Sequence, residues 1–292
     1  MSGQSRRMSD IALHPDNAAQ AEYWNGPAGL RWREHQERQD ELLRPVSERL
    51  RAAAAAMPGE HVIDVGCGAG ASAIDIASQV APDGEVVGVD VSAPLLERAR
   101  ERAGALPVRF VHADAAAHPL KPGWADLIVS RFGVMFFADP ALAFRNLRHG
   151  LRAGGRIAFA AWREAKLNPW IDTPLRAAAN HAPPLPEPGP EDPGPFAFAD
   201  PARVRRILDE AGFVDVDLEP HGLELDIAVG QGLDAAVRAA LAIGPASRLL
   251  QDQSEEVRAA AAASIRAALA PHAQGGRVPL AGAIWIVTGR NP

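Results

Sequence analysis

The chain has 292 residues, 47% of them apolar and 23% charged, the balance of an ordinary globular protein and not of a disordered or fibrous one. A formal net charge of -6 and an isoelectric point near 5.9 supply no field for a phosphate backbone or an anionic membrane surface, which disfavours nucleic acid as a partner. The single cysteine, Cys67, excludes an internal disulfide; with no run near the roughly 18 apolar residues of a membrane span and no apolar signal region, a cytoplasmic protein without a membrane span is expected.

Residues 1–14 are polar and unpatterned and read as a flexible tail. From 15 to 57 the text is rich in Ala, Glu, Gln, Arg and Leu, broken at Asn25-Gly26-Pro27 and restarted at Pro45, which predicts two or three helices. Between His61 and Trp162, short runs rich in Val, Ile or Phe alternate with helix-length segments: His61–Val65, Glu85–Val89, Val108–Val111, Ala125–Val129 and Arg156–Ala161. The intervening helices include Ala93–Gly104, capped by Ser92, and Asp139–Leu151, opened by Asp139-Pro140 and followed by Gly154-Gly155. Strands alternating with helices imply parallel βαβ units in a doubly wound α/β sheet. A stretch with seven prolines in thirteen positions, 183 to 195, reads as a stiff extended connection. Asp200-Pro201 then starts a helix, 213–225 suggests a sixth strand, 226–282 is a helical insertion, and 283–289 is a closing strand.

The most informative stretch is His61–Ala71, HVIDVGCGAGA. Gly66, Gly68 and Gly70 on alternate positions let the main chain turn sharply at the end of the first strand and approach a ligand, while amides at the start of the next helix can donate to it. Asp90 ends the second strand, 20 residues after Gly70, where a carboxylate can accept both hydroxyls of a ribose; the alternative is a helix cap, a role Ser92 fills from a closer position. Up to here a nicotinamide-dependent oxidoreductase has equal claim, since Gly66, Gly68 and Ala71 also fit a loose G-x-G-x-x-A.

Asp64 two residues before the first glycine, a second carboxylate in Val111-His112-Ala113-Asp114-Ala115, and a late strand after the sixth separate the readings. Together they resemble the class I S-adenosylmethionine-dependent methyltransferases, especially the small-molecule branch that includes ubiquinone and menaquinone methyltransferases. The resemblance covers about residues 60 to 163 and the terminal strands in outline. It implies a Rossmann-like doubly wound sheet of seven strands, mostly parallel, with a late antiparallel strand and helical insertions forming a lid. One domain would span 15–292: N-terminal helices 15–57, a cofactor-binding core 58–163, a lid insertion 164–200, and late strands 213–225 and 283–289 around the insertion 226–282.

It also implies roles. Gly66, Cys67, Gly68 and Gly70 would pass beneath the methionine part of S-adenosylmethionine, with Cys67 a small apolar filler and Asp64 orienting the amino group. Asp90 would hold the ribose and Val91 would pack on the adenine. Asp114 would accept from the adenine amino group with the Ala115 amide nearby; a loop carboxylate bonding its own main chain is the alternative for Asp114.

Ligands of open α/β sheets lie beyond the carboxyl ends of the strands, here Ser130-Arg131-Phe132-Gly133 and Ala161-Trp162. The Asn/Asp/Ser-Pro-Pro-aromatic tetrad of enzymes that methylate base or glutamine amide nitrogens is absent, which points to a small-molecule acceptor. Ser130 and Trp32 are assigned to the cofactor side, and Arg131, Phe132, Trp24, Trp162, Trp170, Phe196 and Phe198 to the acceptor wall, where aromatic faces favour a sulfonium; the alternative is that the aromatics glue insertions to the core. The nine histidines show no metal-ligand spacing, so no metal is expected. His35, three residues beyond Trp32, is the candidate base, with His181 second and a solvated histidine the alternative. Transfer of a methyl group to a small, partly apolar acceptor at O, C or N is the expected function, beside the oxidoreductase and a cofactor-binding module without turnover. The oligomeric state is open.

Overall fold

The computed structural model describes residues 11–186, 189 and 191–292. The apolar runs become β1 (His61–Val65), β2 (Glu85–Asp90), β3 (Val108–His112), β4 (Ala125–Arg131) and β5 (Leu151–Trp162), followed by β6 (Val214–Asp226) and β7 (Pro279–Arg290). They form one sheet in the order β3-β2-β1-β4-β5-β7-β6. The first five strands are parallel, with His61 beside Glu85 and Val62 beside Leu127. β7 runs antiparallel to both neighbours, Trp162 pairing with Ile284 and Asp226 with Pro279. The chain thus reverses direction after β6 and slots its last strand between β5 and β6. Strands flanked on both faces are buried without alternation, over Val62–Val65 and Leu127–Ser130, with Asp64 and Ser130 the polar exceptions.

The leading region holds four helices, α1 (Ala18–Asn25), α2 (Pro27–Glu34), α3 (Gln36–Leu42) and α4 (Arg44–Ala54). The extra breaks fall at His35 and Leu43, whose ψ angles of 17° and 7° leave the helical range, so the path bends around a cavity instead of running past it. A helix carrying Trp32 and His35 on one face, as expected from the sequence, therefore does not form. In the core, α5 (Ala71–Val80), α6 (Ala93–Ala103) and α7 (Pro140–Gly150) cross between strands. Asp139 caps α7 by accepting from the Leu142 amide at 2.8 Å. The helix ends at Gly150, one residue short of the expected Leu151, because Leu151 already pairs with Ala125 as the first residue of β5.

The first insertion contains α8 (Pro169–Ala179) and leads to α9 (Pro201–Glu210), whose Val204, Ile207 and Leu208 face the core. The proline-rich stretch between them is described only in part. The second contains α10 (Gly232–Ala242), α11 (Pro245–Leu249) and α12 (Glu255–Leu269), the last capped by Ser254. α8 packs against α11 and α12, so the two insertions form one layer. Of the expected tail, residues 1–10 lie outside the described residues; His14 is tied down, its amide donating to Asp114 at 3.0 Å. No helix among the described residues is long and apolar enough to cross a membrane.

Candidate active site

The glycine loop leaves β1 with Gly66, Gly68 and Gly70 all at positive φ, 66°, 52° and 83°. Each has its own reason. A Cβ on Gly66 would sit 2.6 Å from the Cα of Gly133, so this glycine lets the β1 and β4 turns touch. A Cβ on Gly70 would come within 3.0 Å of Ala99 and Phe110, which makes it a helix–sheet packing position and not a ligand contact. Gly68 has open space around it, with only Leu95 at 3.9 Å, and it lines the main cavity with Gly66, Cys67, Ala69 and Ser72. Gly70 caps α5 without a side chain to satisfy the first-turn amides, which leaves the positive end of the helix toward the cavity. Cys67 is buried, and burial pushes its thiol well above the usual range, away from the thiolate that a nucleophile needs.

Two carboxylates close this end. Asp90 accepts from the amides of Gly68 and Ser92, each at 2.7 Å, and burial raises its pKa against those bonds. Asp114 accepts from the Ala116 amide at 2.9 Å, the loop bond of the alternative reading, and from the Asn17 side chain at 2.8 Å. Asn17 also accepts from the Ala138 amide, which draws the start of the described chain over the ends of β3 and β4; the sequence reading had passed it over. Behind the loop, Asp64 is fully buried, takes the Ser72 hydroxyl at 2.6 Å, and leaves Oδ1 without a hydrogen bond of normal geometry. Burial lifts its pKa to about 7, against the Ser72 bond and the Arg131 charge. Asp64 does not line the cavity; Ser72 stands between.

The leading helices supply the roof. Trp24 and Trp32 line the cavity and meet edge to face at 5.8 Å. Ser92 does not cap α6 with its side chain: its hydroxyl donates to the Trp24 carbonyl at 2.7 Å, and Asn25 Oδ1 takes the Ala93 amide at 3.0 Å instead. Asp40 on α3 binds three elements together, accepting from Arg102 at 2.8 Å, Arg131 at 3.2 Å and Gln36 at 2.5 Å. Arg102 in turn donates to the Ala69 carbonyl of the glycine loop, and Arg131 to Ser47. From α3, Arg38 reaches the Ile227 carbonyl and fastens the leading helices to the second insertion. Asp40, Gln36 and Gln39 were not singled out in the sequence, because a charged run ordinarily marks a solvated face.

The same cavity, about 300 Å³, continues from the glycine loop to Arg131, Phe132, Trp162 and Trp170, with Ile171, Ile227 and the α10 alanines beyond. Phe196 and Phe198, expected on this wall, do not line it; Phe198 is 1% exposed and packs with Phe144 and Phe159 in the core. Ser130 is also withdrawn, its hydroxyl donating to the Val65 carbonyl and accepting from the Val134 amide. His35 lines a separate polar cleft with Arg33 and Arg98, and His181 bonds Ser264 at 2.7 Å, tying the end of α8 to α12. No histidine lines the main cavity among the described residues. Nor do three or more His, Cys, Asp or Glu come together there as a metal cluster.

The residues present fit a nucleoside-bearing cofactor. Val91 and Ala115 supply apolar contact between the Asp90 and Asp114 carboxylates, and Gly68 leaves room for close approach.

Residues 62–155 match the model of a family described as a methyltransferase domain. Nocamycin O-methyltransferase of Saccharothrix syringae is 32% identical over 269 residues, 86% of this chain and 92% of that protein. Aklanonic acid methyltransferase of a Streptomyces species is 32% identical over 124 residues, 41% of this chain and 56% of that protein. Among solved structures, a putative methyltransferase from Bacillus halodurans superposes with a TM-score of 0.53 at 18% identity, covering 84% of this chain and 98% of that one, which shows the shared fold.

Proposed function

The chain belongs to the class I S-adenosylmethionine-dependent methyltransferases, and from that premise we propose that it methylates a small, partly apolar acceptor, at oxygen, held in the aromatic half of its cavity. The nicotinamide reading drops with the family. The observation that carries the proposal is the continuity of one cavity from the Gly68 and Asp90 end to the Trp162 and Trp170 end. Oxygen is supported by the name of the relative that aligns over most of both chains.

When bound, the cofactor supplies a methyl group on a sulfonium, open to in-line displacement by the acceptor's lone pair. The chain's part is to hold the two reactants together and keep water out. In this reading Asp90 holds the ribose hydroxyls, Val91 packs on the adenine, and Asp114 with Asn17 meets the adenine edge. Asp64, through Ser72, faces the amino group of the methionine part, and Gly66 and Gly68 let that part lie against the main chain. Trp24 and Trp32 cover it. Bringing donor and acceptor into contact in a fixed orientation supplies much of the rate for such a displacement. With no histidine on the cavity wall among the described residues, proximity is the main device in this reading. Calorimetric titration of S-adenosylmethionine, S-adenosylhomocysteine and NAD(H), followed by a product screen with labelled methyl donor, tests the proposal; binding of NAD(H) alone, or label that enters no small molecule, would refute it.

A further inference from the structure

The acceptor half of the cavity has a shape of its own, built at the cost of backbone strain. Phe132 has φ 75° and ψ -13°, the left-handed region that non-glycine residues rarely enter. The conformation is imposed by the next residue. Gly133 must sit against the glycine loop, where an added Cβ would lie 2.6 Å from the Val65 carbonyl and 2.7 Å from the Gly66 Cα. Strain of this kind persists where the surroundings fix it, and it clusters at sites of function.

Its consequence is an aromatic ladder. The Phe132 ring lies nearly parallel to Trp162, centroids 4.2 Å apart at 13°, and Trp162 meets Trp170 at 5.0 Å with the planes tilted by 51°. The ladder joins the ends of β4 and β5 to α8. Another wall comes from α10, which presents Ala236, Ala239 and Ala240 to the same space, side chains that end at Cβ and leave no ridge. Flat aromatic faces and a smooth alanine face make a slot, a shape complementary to a plate and not to a bulky saturated body.

A polar group that can both donate and accept also lines this space. Gln39 is 5% exposed and lines the cavity. Its neighbour one turn earlier, Gln36, is fully used, donating to Asp40 and accepting from Arg98, whereas the Gln39 side-chain amide makes no hydrogen bond among the described residues. The Gln39 amide opens onto the cavity and is not sealed in the core. It can both donate and accept, as a hydroxyl or carbonyl requires.

We propose that the acceptor is a flat, conjugated ring system bearing a hydroxyl or carbonyl oxygen, seated on the Phe132–Trp162–Trp170 ladder with that oxygen on the Gln39 amide. The proposal rests on the methyltransferase reading of this cavity and narrows it to one substrate class. Phe132 and Trp170 then determine specificity and Gln39 sets the orientation.

The test uses 1-naphthol and its saturated counterpart 1-decalol as probes, titrated with and without S-adenosylhomocysteine. Naphthol should bind about tenfold tighter than decalol, since stacking adds to area burial. Trp170→Phe should keep the preference, and Trp170→Leu, which keeps an apolar side chain without a ring face, should abolish it. Gln39→Leu should weaken naphthol severalfold. Equal affinities for the two probes, or an undiminished preference in Trp170→Leu, would overturn the slot. Failure of S-adenosylhomocysteine to bind, with the naphthol preference intact, would instead strike the cofactor reading and leave the slot standing.

Discussion

Asp90 carries two duties that a sequence motif does not distinguish. Its oxygens hold the Gly68 and Ser92 amides, so the side chain shapes the loop while facing the cavity. Asp90→Ala is expected to weaken S-adenosylmethionine binding by about 1–3 kcal/mol through loss of a charged acceptor. Because two buried amides lose their partner, the variant should also melt lower than wild type, a cost that a ligand-only role would not predict. Calorimetry and a thermal melt separate the two; unchanged binding in a folded variant would remove Asp90 from the ribose. Asp64 gives a pH signature. Burial raises its pKa to about 7 from an ordinary 3.8, so the folded state holds a proton that the unfolded state releases between those values. Its contribution is fully present below the unfolded value and is lost as pH rises through about 7. Without cofactor, stability should fall between about pH 4 and about pH 7 more steeply in wild type than in Asp64→Asn. Parallel profiles would contradict it.

At the scale of elements, the leading helices are held by a few side chains crossing long sequence distances. Asn25 satisfies the Ala93 amide at the start of α6 and also donates to the Val91 carbonyl, so one side chain latches α1 to the end of β2. Asn25→Ala should cost about 1 kcal/mol, typical of a lost cap, and should loosen the cover over Val91, so S-adenosylmethionine affinity falls along with the melting temperature. A drop in stability alone would show that the latch has no bearing on the cavity. Asp40→Ala leaves the guanidinium groups of Arg102 and Arg131 facing each other without their shared carboxylate. It should destabilise by about 1–3 kcal/mol, and amide exchange should rise first in α3, which carries the lost carboxylate.

For the molecule as a whole, the cavity exists only because three remote regions converge: the leading helices, the glycine loop, and the layer formed by α8 with α10 to α12. The Arg38 bond to Ile227 closes the circuit. In such an enclosure contact between the reactants is the main device, and His35 stands in the outer cleft. His35→Gln should therefore share the wild-type pH–rate profile and turnover. Loss of an ionisation near neutrality in that variant would reinstate a histidine base.

By itself the sequence determined the strands of the core, the order of alternation and the glycine loop, because these depend on neighbours in the chain. Val- and Ile-rich runs specify buried parallel strands, Asp139-Pro140 and Ser254 specify helix starts, and positive φ at a strand-to-helix turn specifies glycine. Only the tertiary structure decided which groups share the cavity. Ser92 was the nearest cap for α6, yet Asn25 took the amide because folding brought α1 there. Phe198 and Trp170 are alike as letters, but one fell into the core and the other onto the wall. Gln39 and Asp40 sit in a charged run that reads as solvent-facing, and face inward because His35 and Leu43 break the helix. Local pattern encodes backbone conformation, whereas burial of a polar side chain depends on partners supplied from far along the chain.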